Sequence, residues 1–165
     1  MCGIAGQLSF AGPDRDAVAR MTRALAHRGP DAEGFATQGP IAFGHRRLSI
    51  IDIAGGSQPM FSPDGTLGVV FNGEIYNYRE LRDELSGHRF RTASDTEVLL
   101  HLYQELGEVF VDKLEGMFAF ALWDARAQRL VAARDRFGEK PFLYAHEAGK
   151  LTFASELRAL MDASQ

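Results

Sequence analysis

An α+β fold, with antiparallel sheets lying in layers and helices outside them, is what the sequence predicts, and three observations carry that expectation. The segment 117–123 is apolar on both alternating faces, with Phe118, Phe120 and Leu122 on one and Met117, Ala119, Ala121 and Trp123 on the other. A strand of that kind needs one layer above it and another below. Short turns separate the strand-like runs of the second half, and short connections favour antiparallel pairs because parallel strands need long crossovers. Two stretches place apolar residues at helical spacing instead.

Taken in order, 4–10 reads as a short strand closed by the turn signal Gly12-Pro13. Asp14 caps a helix with Val18, Met21 and Leu25 on one face, and Gly29-Pro30 ends it. Strand-like runs follow at 41–45, 48–53 and 67–72. Asn77 is placed to cap a short helix carrying Leu81 and Leu85. A stronger helix starts at Ser94, where Ser94-x-x-Glu97 reads as a capping box. Its stripe is Val98, Leu99, Leu102, Tyr103 and Leu106, and Gly107 suits the left-handed stop. After 117–123 the chain turns into a strand at 129–133. Runs at 142–145 and 151–154 flank a hairpin at Glu147-Ala148-Gly149-Lys150, and 156–161 reads as a short closing helix.

The 165 residues suit one domain at the usual ~100–200 residues per domain, and no linker or internal repeat divides them. A hydrophobic content of 45% with 24% charged residues excludes disorder and fibrous repeats. The 18 basic and 22 acidic residues give a net charge of −4, which offers nucleic acid and anionic lipid no global attraction. The longest apolar run, 116–123, is too short to span a bilayer. The single cysteine excludes a disulfide framework, a CxxC pair and a multi-cysteine metal site. The five histidines are scattered without metal-ligand spacing, so no metal is expected. The opening hexapeptide lacks the features of a secretion signal. A cytoplasmic enzyme or binding domain survives these exclusions.

That cysteine is Cys2. It reads either as a small hydrophobe near a terminus or, once Met1 is removed, as an N-terminal residue carrying both a thiol and a free α-amine. The reference pKa of an α-amine is about 7.7–8.0, so one residue then supplies nucleophile and base. With Met1 attached the amine is an amide and the base is missing; a formed pocket without catalysis is expected in that state.

Met1-Cys2-Gly3-Ile4-Ala5-Gly6 resembles the start of class II glutamine amidotransferase domains, which are N-terminal nucleophile hydrolases. The blocks His27-Arg28-Gly29-Pro30-Asp31, Arg47-Leu48-Ser49-Ile50-Ile51-Asp52 and Phe71-Asn72-Gly73-Glu74-Ile75-Tyr76-Asn77 follow in the family's order. So do Ser94-Asp95-Thr96-Glu97, Gly116-Met117-Phe118-Ala119-Phe120-Ala121, Arg134-Asp135-Arg136-Phe137-Gly138 and Phe153-Ala154-Ser155-Glu156. Within the class the match looks like the N-terminal glutaminase domain of asparagine synthetase (glutamine-hydrolysing), running from residue 2 to about residue 160.

The resemblance implies a four-layer αββα sandwich of two antiparallel sheets, a single domain over 1–165, and roles for named residues. Arg47 binds the glutamine α-carboxylate, which its donor fork fits bidentately; otherwise it is a solvated strand-edge charge. Asp95 receives the α-ammonium, or simply favours the helix start where it stands. Asn72, through its side-chain amide, and Gly73, through its N–H, form the oxyanion hole; by themselves the pair reads equally as a hairpin turn. Glu74 is a further glutamine ligand. The main chain from Arg47 to Ile51 lines the pocket, with Leu48, Ile50 and Ile51 in it, although Leu48 and Ile50 also suit core positions. The His27–Asp31 block is placed near the route ammonia takes, and Arg134-Asp135-Arg136 reads as a local ion-pair cluster.

The implied reaction is hydrolysis of L-glutamine to glutamate and ammonia through a Cys2 thioester, with no cofactor in this domain. ATP and magnesium belong to the synthetase domain that the family carries after this one. Nothing here resembles that domain's pyrophosphate loop, so a synthetase domain or partner subunit is expected to take the ammonia, as in asparagine biosynthesis. A homodimer in the parent protein stays open. The competing readings are a non-catalytic glutamine-binding regulatory module, an N-terminal nucleophile amidase without an amino-acid clamp, and a structural domain with a buried cysteine.

Overall fold

A computed structural model describes residues 1–48 and 55–164. Its strands are β1 (Gly3–Ser9), β2 (Ala32–Gln38), β3 (Ile41–Arg47), β4 (Met60–Phe61), β5 (Leu67–Ile75), β6 (Gly116–Asp124), β7 (Arg129–Arg134), β8 (Leu143–Glu147) and β9 (Lys150–Ala154). The helices are α1 (Arg15–Ala24), α2 (Tyr78–Glu84), α3 (Asp95–Leu106) and α4 (Leu157–Met161), with 3₁₀ turns at Gly107–Lys113 and Asp162–Ser164.

The strands form two sheets, ordered β2-β3-β1-β9-β8 and β4-β5-β6-β7, and every strand pair is antiparallel. Three apolar layers hold them together. Between the sheets lie Ile4, Ile41, Phe43, Val70, Ala119, Ala121, Trp123 and Phe153. Outside the first sheet, Ala5, Ala42 and Ala154 meet Val18 and Met21 of α1 and Ala159 of α4. Outside the second, Phe71, Phe118, Phe120 and Leu122 meet Leu81, Val98, Leu99 and Leu102. The order is therefore helix, sheet, sheet, helix. The doubly apolar strand is β6, with Ala119, Ala121 and Trp123 in the inter-sheet layer and Phe118, Phe120 and Leu122 under α3. Burying a side chain of this size contributes about 1.5–3 kcal/mol.

Local signals hold for α1, where Asp14 Oδ1 accepts the Ala17 N–H at 2.9 Å, and for the β8–β9 hairpin, whose Ala148 and Gly149 take φ of 49° and 74° as a primed turn requires. Elsewhere tertiary contacts take over. α1 stops at Ala24, short of Gly29-Pro30. Asn77 caps nothing with its side chain; it donates from Nδ2 to Lys113 O at 2.9 Å and accepts the Glu115 N–H at 3.1 Å. The capping box at α3 is half made. Ser94 Oγ accepts the Thr96 N–H at 3.2 Å, while the Glu97 carboxylate reaches back past Ser94 to the N–H groups of Arg91 and Thr92. Leu106, expected in the apolar stripe of α3, is exposed.

β2 and β4 carried no sequence signal. β2 is an edge strand without a buried residue, and two residues of β4 are too few for any alternation. Among the described residues Asp135 makes no ion pair: its carboxylate accepts the N–H groups of Phe118, Phe137, Glu139 and Lys140 at 2.9–3.2 Å. Burial raises its pKa, and these four donors overcome that and hold it below the usual carboxylate range. The strand expected at 48–53 lies, apart from Leu48, outside the described residues.

Candidate active site

The inter-sheet layer changes character along its length, and the alternation of the strands dictates how. Stepping by two from Ile41 and Phe43 on β3 reaches His45 and Arg47; from Val70 on β5, Asn72 and Glu74; back from Ile4 on β1, Cys2. The apolar layer therefore ends in a cleft lined by Cys2, Arg47, Leu48, Asn72, Gly73, Glu74 and Asp95, with Gln58, Ser94, Thr96, Met117, Lys140 and Met1 completing its wall. All the expected site residues within the described part of the chain meet there. Ile50 and Ile51 lie outside the described residues.

Cys2 immediately precedes β1. Its Sγ–H points to Leu48 O at 3.6 Å, and its Sγ accepts the Leu48 N–H at 3.4 Å. The Cys2 carbonyl is gripped by Arg28 Nε at 2.9 Å, and Arg28 is itself paired with Glu156 at 2.9 Å. Burial pushes the thiol pKa up; the Leu48 N–H, the Met1 α-ammonium and Arg47 pull it down, and Asp95 adds to the rise.

β4 pairs with β5 only at Met60–Val69 and Phe61–Gly68, so among the described residues no strand covers the edge of β5 beyond Val69. The main-chain groups of Phe118 on β6 are both engaged with Asp135, at 3.2 and 2.8 Å. The Gly73–Phe118 pair is thus a non-hydrogen-bonded one, and the N–H groups of Phe71, Gly73 and Ile75 all face the open edge. Phe71 N–H goes to Gln58 Oε1 at 2.6 Å and Ile75 N–H to Asp95 Oδ2 at 3.0 Å. The Gly73 N–H lies between them, facing the cleft. A Cβ on Gly73 would strike the Met117 carbonyl.

Asn72 is 1% exposed, and its Nδ2 has no partner among the described residues. A buried amide left unsatisfied costs about 1–3 kcal/mol. Two adjacent residues of β5 thus present donors to the space beside Cys2, which is the arrangement that stabilises a developing oxyanion.

Arg47 is buried at the end of β3. Asp95 opens α3; burial raises its carboxyl pKa, N–H groups including that of Ile75 lower it, and Glu74 raises it further. A cationic and an anionic side chain therefore stand in one cleft, as the two ends of an amino acid require. His45, 1% exposed, lies under this cleft with Nε2–H donating to Phe71 O at 3.2 Å. Burial is the main cause that drives its pKa down to about 4, so the ring is neutral at pH 7.

Sequence reading missed Gln58, Thr96, Lys140 and Arg28 as parts of the site and its support. Gln58 and Lys140 carried no signal because each arrives from a turn, while Arg28 and Thr96 lie in quoted motif blocks that gave them no individual role. Lys140, nearly buried, donates to Met1 Sδ at 3.3 Å. The histidines are less scattered than their spacing suggests: His88 and His101 meet at 3.0 Å between their Nδ1 atoms. Among the described residues no group of three or more His, Cys, Asp or Glu side chains is placed to hold a metal ion, and no helix is long and apolar enough to cross a membrane.

The layered architecture is shared with solved structures. It superimposes with a TM-score of 0.82 on glutamine phosphoribosylpyrophosphate amidotransferase from B. subtilis, at 23% identity over 99% of this chain and 44% of that one. The allosteric regulatory enzyme of purine biosynthesis gives a TM-score of 0.81, at 24% identity over 99% of this chain and 43% of that one. Both likenesses show a shared fold. A model of the glutamine amidotransferase domain matches residues 1–165, and this chain belongs to that family. Among its relatives, asparagine synthetase [glutamine-hydrolyzing] 2 of Bacillus subtilis (strain 168) is 44% identical over 97% of this chain and 22% of its own length. Asparagine synthetase [glutamine-hydrolyzing] 3 of Arabidopsis thaliana is 45% identical over 98% of this chain and 29% of its own length. The chain spans under a third of either relative.

Proposed function

We propose that residues 1–165 are one glutaminase domain, which hydrolyses L-glutamine to glutamate and ammonia in two acyl-transfer steps. The observation that supports this most is the buried Asn72 Nδ2, without a partner among the described residues, beside the Gly73 N–H and Cys2 in one cleft.

With Met1 removed, the Cys2 α-amine takes the thiol proton and Sγ attacks the side-chain amide carbon of glutamine. Asn72 and Gly73 hold the oxyanion, and donors of this kind each matter by ~10²–10³ in rate. The intermediate collapses by breaking the C–N bond, and the α-amine returns the proton to the leaving nitrogen, which departs as ammonia. Water, deprotonated by the same amine, then cleaves the γ-glutamyl thioester, releasing glutamate and the thiol. Arg47 binds the α-carboxylate, Asp95 and Glu74 the α-ammonium, and the Leu48 main chain holds the sulfur between turnovers. A clamp on both ends makes the site select an amino acid rather than any amide.

The reaction needs no cofactor here. The ammonia acceptor belongs to a synthetase domain or subunit, where ATP and magnesium would act, and the relatives' names favour aspartate as the carboxylate that is aminated. A free thiol nucleophile suits the reducing cytoplasm.

The test is intact mass after incubation with a glutamine-mimicking electrophile, with Cys2→Ala alongside. A chain lacking Met1 and carrying one adduct, absent from the variant, is the expected result. A processed chain that binds glutamine but takes no adduct would instead identify a non-catalytic binding module.

A further inference from the structure

The open edge of β5 raises a question that the proposed chemistry leaves unanswered: what holds the oxyanion donors still. Among the described residues the strand from Val70 to Ile75 is paired on one side only, to β6. An edge strand of that kind presents unpaired N–H and C=O groups, whereas catalytic donors must keep their place to within about 0.5 Å.

At Phe71, the residue before Asn72, both outward groups are taken by side chains in place of a strand. Gln58 Oε1 accepts the Phe71 N–H at 2.6 Å, and Gln58 Nε2 reaches Thr96 Oγ1 at 3.4 Å at the start of α3. His45 Nε2–H donates to the Phe71 C=O at 3.2 Å, from the opposite sheet. That carbonyl belongs to the peptide that carries the Asn72 N–H. His45 stands on β3 two residues before Arg47 and pairs with Ile4 on β1, two residues after Cys2. One imidazole therefore ties the nucleophile's sheet to the strand that carries the donors.

We infer that His45, assisted by Gln58, is a positioning residue for the oxyanion hole: it fixes the Phe71–Asn72 peptide and so sets where the Asn72 amide and the Gly73 N–H lie relative to Cys2. This rests on the glutaminase reading above. His45 touches neither substrate nor sulfur in this role; it acts through Phe71 and Asn72. The ring is a donor with a fixed tautomer, because a carbonyl oxygen can only accept.

The experiment compares the full chain with His45→Met, His45→Gln and Gln58→Met, measuring glutamine kcat and KM, thermal midpoint, and the rate of Cys2 alkylation by iodoacetamide. Alkylation is a displacement that forms no oxyanion. His45→Met is expected to lower kcat at least about ten-fold, since outright loss of a donor costs ~10²–10³, while KM and alkylation stay within about two-fold. His45→Gln, whose amide replaces the Nε2 donor, is expected to regain most of the kcat. Gln58→Met, at a half-buried position, should reproduce the kcat-only loss in smaller measure and covers the case in which His45→Met does not fold. Unchanged kcat in the folded variants overturns the inference. So does a loss that spreads equally over kcat, KM and alkylation and is not rescued by glutamine at 45, which marks a packing role. If Cys2→Ala retains the wild-type glutaminase rate, the parent reading has failed and this one goes with it.

Discussion

The two ends of the inter-sheet layer are built by the same strands and the same faces, yet they do opposite things. At one end Ile41, Phe43, Val70, Ala121 and Trp123 are fully or almost fully buried among apolar neighbours. At the other, two residues further along β3 and β5, stand His45, Arg47, Asn72 and Glu74, with Cys2 opposite. Each end holds a buried N–H without a partner among the described residues, Trp123 Nε1 and Asn72 Nδ2. The Trp123 ring sits in the apolar cluster, where large buried surface outweighs one lost hydrogen bond. The Asn72 amide lines the cleft, where the proposed reaction gives it an oxyanion to hold. A single sandwich thus separates stability from chemistry by position along the strands.

The sharpest test of that separation is Cys2→Ala, which should abolish glutamine hydrolysis while moving stability by under about 1 kcal/mol; turnover and a thermal melt read both. Asn72→Ala comes next, with kcat lower by about 10²–10³ and stability equal or higher, because an unsatisfied buried donor is removed. A large drop in melting temperature would break the comparison. Trp123→Ala should behave in the opposite manner, losing about 3–5 kcal/mol in denaturant titration while the folded fraction keeps its KM for glutamine.

The pH dependence comes after these. An unfolded histidine takes up its proton near pH 6.5, but folded His45 does so only near 4. Between those values the unfolded chain binds the extra proton. Stability is therefore complete above pH 6.5 and falls toward pH 4, by up to about 3 kcal/mol. Denaturant midpoints measured across that window should flatten in His45→Gln. The smallest effect is that of Arg47→Lys, which keeps the charge but loses the fork. A KM increase of about ten-fold, equivalent to ~1.4 kcal/mol, with kcat little changed, is expected from steady-state kinetics.

Much of this was legible in the order of the residues. The double alternation of 117–123 announced a strand covered on both faces, and β6 is one. The strand-like runs at 41–45 and 67–72 fell short of Arg47 and Glu74, and β3 and β5 extend through both. Asn72-Gly73 reads locally as a hairpin turn, yet both residues lie inside the nine-residue β5; only the neighbouring motif residues favoured the site. Lys140 and Gln58 left no trace as site residues, because their places depend on loops that the sheets bring together; Arg28 was visible only as part of the His27–Asp31 block.

Periodicity, caps and turn residues are local properties, carried by neighbours two to four positions apart, and they determine the elements, the layering and which side chains share a face. What packing alone decides is where those faces meet and which polar groups are left over. β4 begins only at Met60, so among the described residues no strand covers β5 beyond Val69 and its N–H groups face a cleft. Asp135 gathers four backbone N–H groups instead of its arginine neighbours, and Asn77 turns from a cap to Lys113 and Glu115. Each of these outcomes is a competition for hydrogen bonds between residues far apart in the chain. No local pattern records the result, because the competing partners are brought within reach only when the two sheets close on each other.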